Sequence, residues 1–315
     1  MIFIARLVYF LVLIVPPLFP TQGTTINISE AVDIGGIKQW INIKGTNNRN
    51  PVLLFLHGGP GNSAMSYADK FTGELQKYFV VVQWDQRESG KTAGLNVSDK
   101  PLSVAQMEND AVEMINYLRA RFSQDKIYLV GHSWGGFLGL SVAASHPELL
   151  KAYIAVSPMV YQLQSERLSL QWMINKAKEE NNQKALDELA KVRIPFQGGD
   201  QLYYHRSWLY KLMGNKFPSK EFVVTWSKKW LPLFNEASAV NFFEVAPEIK
   251  CPIYFFVGKK DYQTYYKLTE EYYNALKGPK KQLYWFDDSG HSLNTKEPKR
   301  FQEIIINEIL LKADG

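Results

Sequence analysis

Ser133 stands between glycines in Gly131-His132-Ser133-Trp134-Gly135, directly after the apolar run "IYLV" and directly before a run of helical character. A hydroxyl is a weak nucleophile. To attack a carbonyl it needs an adjacent base, and the base needs a third group to orient it. The G-x-S-x-G spacing supplies the first part of that machinery. On a sharp strand-to-helix turn the serine oxygen is lifted clear of the sheet, and side chains two residues to either side would collide, which is why glycines stand there. The helix that follows aims its N-terminal N–H groups, Trp134 first, at charge developing on a substrate oxygen. The plainer alternative is a glycine-rich turn whose serine only caps the helix; a strand and a helix in register on both sides favour the nucleophile.

For this motif the chain order is serine, acid, histidine. Of His57, His132, His146, His205 and His291, only the last two follow Ser133 and lie beyond its helix. His291 sits in "DDSGHSL", just after the strand-like "KQLYWF", at the strand edge where α/β sites gather. His205, in "QLYYHRSW", falls in a helical region and suits packing or substrate contact. The candidate acid is Asp261 in "VGKKDYQT", a short loop after "PIYFFV"; the alternative is an ordinary solvated turn. Asp287 and Asp288 are rivals whose closeness to His291 suits loop capping. "HGGPG" at 57–61 follows the strand "PVLLFL" and offers the Gly59 N–H as a second oxyanion donor beside that of Trp134. His57 reads as a hydrogen-bonding support of this loop.

The elements that would position these residues are legible in the hydrophobic pattern. Strand character sets in at about Thr24, with "IKQWINIKG", "PVLLFL", "YFVVVQWD", "KIYLVG" and "KAYIAVSP" as strands. "SVAQMENDAVEMINYLRARF" is an amphipathic helix with Ser103 as its N-cap. Nearly continuous apolar strands alternating with helices imply an α/β fold, a mostly parallel central sheet covered by helices on both faces. The alternation stops after Pro158 and resumes with "CPIYFFVG", "KQLYWFDD" and the closing helix "PKRFQEIIINEILLK". The expected organisation is therefore a leader over 1–22, core over 23–158, an inserted helical cap over 159–247, and core again over 248–315.

Bulk properties narrow the function. The 315 residues carry 36 basic and 31 acidic side chains, a formal charge of +5, with the basic ones scattered. That is poor material for a nucleic-acid footprint, and none is expected. Residues 1–20 hold one charge, Arg6, and an apolar stretch over 7–15 ended by Pro16-Pro17. This reads as a signal peptide and implies export; the alternative is an uncleaved membrane anchor. Cys251 is the single cysteine, so no intrachain disulfide is available, and it reads as a small buried residue at a strand start. No metal and no cofactor is expected, and the partner is a small-molecule or short-peptide substrate.

Together "HGGPG", "WDQRESGKT", "GHSWGG", "GKKD" and "SGHS" resemble the proline iminopeptidase branch of the α/β-hydrolases, over nearly the whole chain after residue 22. The resemblance implies that Ser133 is nucleophile, Asp261 acid and His291 base. Gly59 and Trp134 would be the oxyanion donors, with Asp85, Gln86 and Arg87 as supports beneath the site. It implies an aminopeptidase that releases N-terminal residues from peptides. Two departures stand out. Glu88 occupies the place of a glycine in the usual "DQRG", and Leu231 in "TWSKKWLPLF" occupies the place of an ammonium-binding glutamate. Glu236 and Glu244, with Trp230, are then the candidate substrate-binding residues of the cap. The aromatic residues Trp208, Trp226, Trp230 and Phe234 are candidates for an apolar pocket. A carboxylesterase or amidase for small acyl substrates is the alternative activity, and a catalytically silent binding module the alternative of another class.

Overall fold

The computed structural model describes residues 23–96 and 101–312; the leader expected over 1–22 lies outside the described residues. Eight strands form one sheet: β1 (Ile26–Ile34), β2 (Ile37–Gly45), β3 (Val52–Leu56), β4 (Val80–Asp85), β5 (Ile127–His132), β6 (Leu150–Val156), β7 (Ile253–Gly258) and β8 (Lys281–Phe286). Their spatial order is β1-β2-β4-β3-β5-β6-β7-β8. β1 pairs β2 and β2 pairs β4 antiparallel; every pairing from β4 to β8 is parallel.

The apolar runs follow from burial on both sides. Along β3, Leu54 and Leu56 face one core cluster while Leu53 and Phe55 face the other, and β5 divides Leu129 from Tyr128 and Val130 in the same way. A strand covered on both faces needs apolar residues at every position, hence a continuous run in place of an alternation. The first cluster is completed by α2 (Val104–Phe122), through Met107, Ala111, Met114 and Leu118, and by α3 (Trp134–Ser145), which follows α1 (Asp69–Thr72) and α2 in the chain. The second is covered by Phe71 of α1 and by the C-terminal turns around Phe301 and Ile305. Ser103 caps α2 by accepting the Gln106 N–H at 3.3 Å, as its type and place suggest.

Between β6 and β7 the chain makes helices α4 (Gln162–Glu179), α5 (Gln183–Leu189), α6 (Gly199–Leu212), α7 (Lys220–Ala239) and α8 (Phe242–Val245). After β7 come α9 (Tyr266–Ala275), and after β8 the short α10 (Leu293–Lys296) and α11 (Pro298–Ile304). β1 is absent from the strands named by apolar runs because it is a half-exposed edge: Asn27, Ser29 and Asp33 are exposed and Glu30 is half-buried against Arg121 of α2, and its signal was the Gly35-Gly36 hairpin turn with φ of 59° and 73°. Cys251 is buried just before β7, and burial pushes its thiol up to about 12. Among the described residues no helix is long and apolar enough to cross a membrane.

Candidate active site

β5 ends at His132 and α3 begins at Trp134, so Ser133 occupies the turn between them with φ 57° and ψ −115°. A non-glycine residue held at positive φ carries backbone strain of about 1–3 kcal/mol, which the surroundings must enforce. They do so by close approach. A β-carbon at Gly131 would lie 2.1 Å from the Gly135 carbonyl oxygen, and one at Gly135 would lie 2.1 Å from the Leu56 carbonyl oxygen. Both glycines of the motif are therefore demanded by contact: first between the turn and its own helix, then between that helix and β3.

The imidazole of His291, in the loop after β8, bridges the other two side chains. Its Nε2 accepts from the Ser133 hydroxyl at 2.9 Å, and its Nδ1 donates to Asp261 Oδ2 at 3.0 Å. Asp261 follows β7 and is buried. Burial alone would raise its carboxyl, but the His291 imidazole and the hydrogen bonds from His291 and Thr264 outweigh it and hold the group at about 2. Its oxygens also accept from the backbone N–H groups of Gln263 at 2.9 Å and Thr264 at 3.0 Å, and from the Thr264 hydroxyl at 2.8 Å. An acid saturated in this way stays ionised and fixed in direction. Asp287 and Asp288 instead point outward to Lys259 and Lys260, at 2.7 and 3.6 Å.

The loop after β3 lies against Ser133: a β-carbon at Gly58 would sit 3.3 Å from that of Ser133. Gly59 lines the adjoining cavity, and the N–H of Trp134, at the first position of α3, has no partner within the helix. Gln86 ties these two segments together, donating to the His57 carbonyl at 3.0 Å and accepting the Trp134 indole N–H at 2.9 Å. His57 is buried and depressed by that burial; its Nε2 accepts the Gln86 N–H at 3.2 Å, the support expected of it. Beneath, Arg87 grips Asp110 with two bonds of 2.8 and 2.9 Å.

His132 is a participant that sequence reasoning missed. Burial, then the charge of the neighbouring His291, pushes it down to about 4. As a neutral ring it donates from Nε2 to the His291 carbonyl at 2.9 Å, pinning the loop that carries His291. The only signal for it was its place beside Ser133.

α7 presses on the HGGPG loop. The Trp226 indole donates to the Pro60 carbonyl at 3.1 Å, and the Trp230 ring lies directly on Gly61, where a β-carbon would come within 2.4 Å of it. Two cavities flank the site. One of about 160 Å³ is lined by Gly59, Asn62, Arg206, Trp226, Phe234 and Gln263 among others, with no carboxylate among its lining residues. Another, of about 580 Å³, opens on His291 and is bordered by Lys216, Lys260, Lys296 and Tyr262; Tyr210 lines both. Of the expected cap residues, Glu236 is exposed and accepts the Val104 N–H at 3.2 Å at the start of α2, and Glu244 is exposed beside Asn241. Neither lines these cavities, nor does Trp230, which serves as a brace on the loop. Trp208 packs within the cap and donates to Glu188 at 2.7 Å.

The buried cap carboxylate is one no motif pointed to. Burial opposes the charge of Glu166, but Arg206 outweighs it and holds it ionised, gripping both carboxylate oxygens. His205, driven by burial down to about 4, donates to the Glu166 carbonyl at 3.1 Å and accepts from Arg206 at 2.8 Å. His205 is thus part of a closed cap network. Among the described residues no cluster could hold a metal ion.

Residues 51–298 match the family model described as alpha/beta hydrolase fold. The chain is 30% identical to a probable aminopeptidase, YbaC, of Bacillus subtilis, over 89% of this chain and 95% of the relative. It is 26% identical to a proline iminopeptidase of Heyndrickxia coagulans, over 81% and 88%. The crystal structure of a proline iminopeptidase from Mycobacterium smegmatis superposes with a TM-score of 0.63 at 16% identity, covering 91% of this chain and 99% of that one. The chain belongs to the alpha/beta hydrolase fold family, with relatives named aminopeptidase and proline iminopeptidase.

Proposed function

We propose that the protein is a serine hydrolase that works by acyl transfer and releases the N-terminal residue of short peptides. The observation that carries the chemistry is the run of hydrogen bonds from Ser133 through His291 to Asp261, at 2.9 and 3.0 Å. In this mechanism Ser133 Oγ attacks the scissile carbonyl while His291 Nε2 takes its proton. The oxyanion that forms is met by the N–H groups of Gly59 and Trp134. His291 then gives its proton to the departing nitrogen, the C–N bond breaks, and an ester to Ser133 remains. Water, activated by the same imidazole, attacks the ester and frees the acid. Asp261 holds the ring with Nδ1 protonated throughout and stabilises its charge. The exopeptidase part of the reading is supported by the relatives' names.

A second reading, an amidase or esterase for uncharged acyl groups, is favoured by the apolar cavity beside Gly59. A substrate ammonium buried there without a carboxylate would cost several kcal/mol. Proline and alanine arylamides, their N-acetylated forms and p-nitrophenyl esters separate the two. If acetylation abolishes turnover the aminopeptidase reading stands; if acetylation improves it, the second reading replaces it. Export remains part of the proposal on the strength of residues 1–22, and N-terminal sequencing of protein from outside the cytoplasm checks it.

A further inference from the structure

The larger cavity, on the His291 side, has a charge pattern that the hydrolytic reading leaves unused. Lys216 from the loop after α6, Lys260 from the acid loop and Lys296 from α10 border it, against one carboxylate, Asp288. All three lysines are exposed. Lys260 has Asp288 at 3.6 Å, while Lys216 and Lys296 have no ion pair among the described residues. Trp172 and Tyr262 stack at 4.1 Å and give the same cavity an apolar wall. At about 580 Å³ it lies within the ~300–1,000 Å³ usual for small-ligand sites.

Its position decides which part of a substrate it meets. The histidine of a hydrolytic triad passes its proton to the leaving group, so the leaving group must lie on the imidazole's side. Gly290, His291 and Ser292 line this cavity, whereas Gly59 lines the other. The acyl half is therefore assigned to the small apolar cavity, and the leaving half to the large basic one.

We propose that this cavity selects a leaving group bearing a free carboxylate, met by Lys216, Lys260 and Lys296; for a peptide substrate this is the C-terminal carboxylate of a di- or tripeptide. The proposal rests on the acyl-transfer reading of Ser133. It makes the enzyme a finisher of short peptides, because a long chain would carry its carboxylate beyond the lysines. Three exposed ammonium groups attract at modest strength, and salt screens them. The expected preference for an anionic leaving group is about five- to tenfold in kcat/KM at low ionic strength.

Matched substrate pairs test this whichever bond is cut: alanine anilide against alanine 4-carboxyanilide, and phenyl acetate against 4-carboxyphenyl acetate. The quantity read is the ratio of kcat/KM within each pair, for wild type and for the Lys216→Gln/Lys296→Gln double variant, at 20 mM and 500 mM salt. The proposal expects the carboxylated member to win, mainly through KM, with the ratio falling towards one in the double variant and at high salt. A structural defect would lower both members together and leave the ratio standing. A wild-type ratio of one or below, or a ratio untouched by the double substitution, overturns the proposal. If only the ester pair is cut, the peptidase reading fails and the ester ratio still decides the inference. If neither pair is cut, the hydrolytic reading falls and takes the inference with it.

Discussion

Glu88, in the loop after β4, reaches across to the cap: its carboxylate lies 2.6 Å from the ammonium of Lys229 on α7. It does so from a left-handed backbone, φ 61°, where a glycine would sit without strain. The departure from "DQRG" thus exchanges local ease for a tie between core and cap. Such a pair, with Lys229 43% exposed, contributes at most about 1 kcal/mol. Glu88→Gly relieves strain of similar size. Its Tm should therefore stay close to that of the parent, while α7 exchanges its amide hydrogens faster. A loss of more than about 3 kcal/mol in denaturant unfolding would assign Glu88 a larger role.

Ser133→Ala should lower turnover of any good substrate by a factor on the order of 10⁴ to 10⁶. Ser133→Gly should be as inactive and yet the more stable of the two, by about 1 kcal/mol, because glycine accepts φ 57° freely. Thermal unfolding of the pair checks this; equal Tm values would mean that the turn carries no strain.

Asp261→Asn should retain the fold while cutting kcat on the order of 10⁴-fold, through loss of the acceptor that fixes the His291 tautomer. Thr264→Val, which removes the hydroxyl bond of 2.8 Å to Asp261, should cost far less, about tenfold or under. A silent Asp261→Asn would return attention to Asp287 and Asp288.

Stability should fall as pH drops from about 6.5 towards 4. His132 and His205 are buried neutral with values near 4, below the ordinary imidazole range, so the unfolded chain binds more protons across that window. Where the unfolded state binds more protons, stability rises with pH. Asp261, near 2, contributes stability present above about 4 and lost as pH falls towards 2. Chemical denaturation at pH 7, 5.5 and 4.5 checks the first window. A His132→Gln variant should show a shallower slope, since glutamine does not titrate.

The residues now found within bonding distance of one another were legible because their chemistry imposes backbone demands. Ser133 needs a turn that only flanking glycines permit, and Asp261 and His291 each sit one short loop beyond a strongly apolar strand. β1 was opaque for the opposite reason: exposed on one side, it mixes Ser29 and Asp33 with half-buried residues. The cap was the least readable part. Trp226, Trp230 and Phe234 share one helix and one composition, yet Trp226 and Phe234 line a cavity while Trp230 braces a loop. Which face of an aromatic helix meets substrate depends on its docking, and docking is set by contacts far apart in the chain. For the same reason Glu236 looked available in sequence and is spent on the N-terminus of α2.

β6 and β7 lie side by side, so the chain departs from the sheet after Val156 and rejoins it one strand over at Ile253. The two roots lie at opposite ends of a parallel pair, with Val156 opposite Phe256 and Ile253 opposite Tyr153, and that pairing fixes both in place. Closing a longer or shorter loop between fixed roots changes the free energy slowly, by about 0.6 kcal/mol per doubling of length. Ser133 precedes the excursion; Asp261 and His291 follow it. Descendants of one ancestral chain can therefore lengthen, trim or rewrite the stretch between these roots without shifting the strand ends that carry the three side chains. Kin built this way should drift apart in what they cut long before they drift apart in how they cut it.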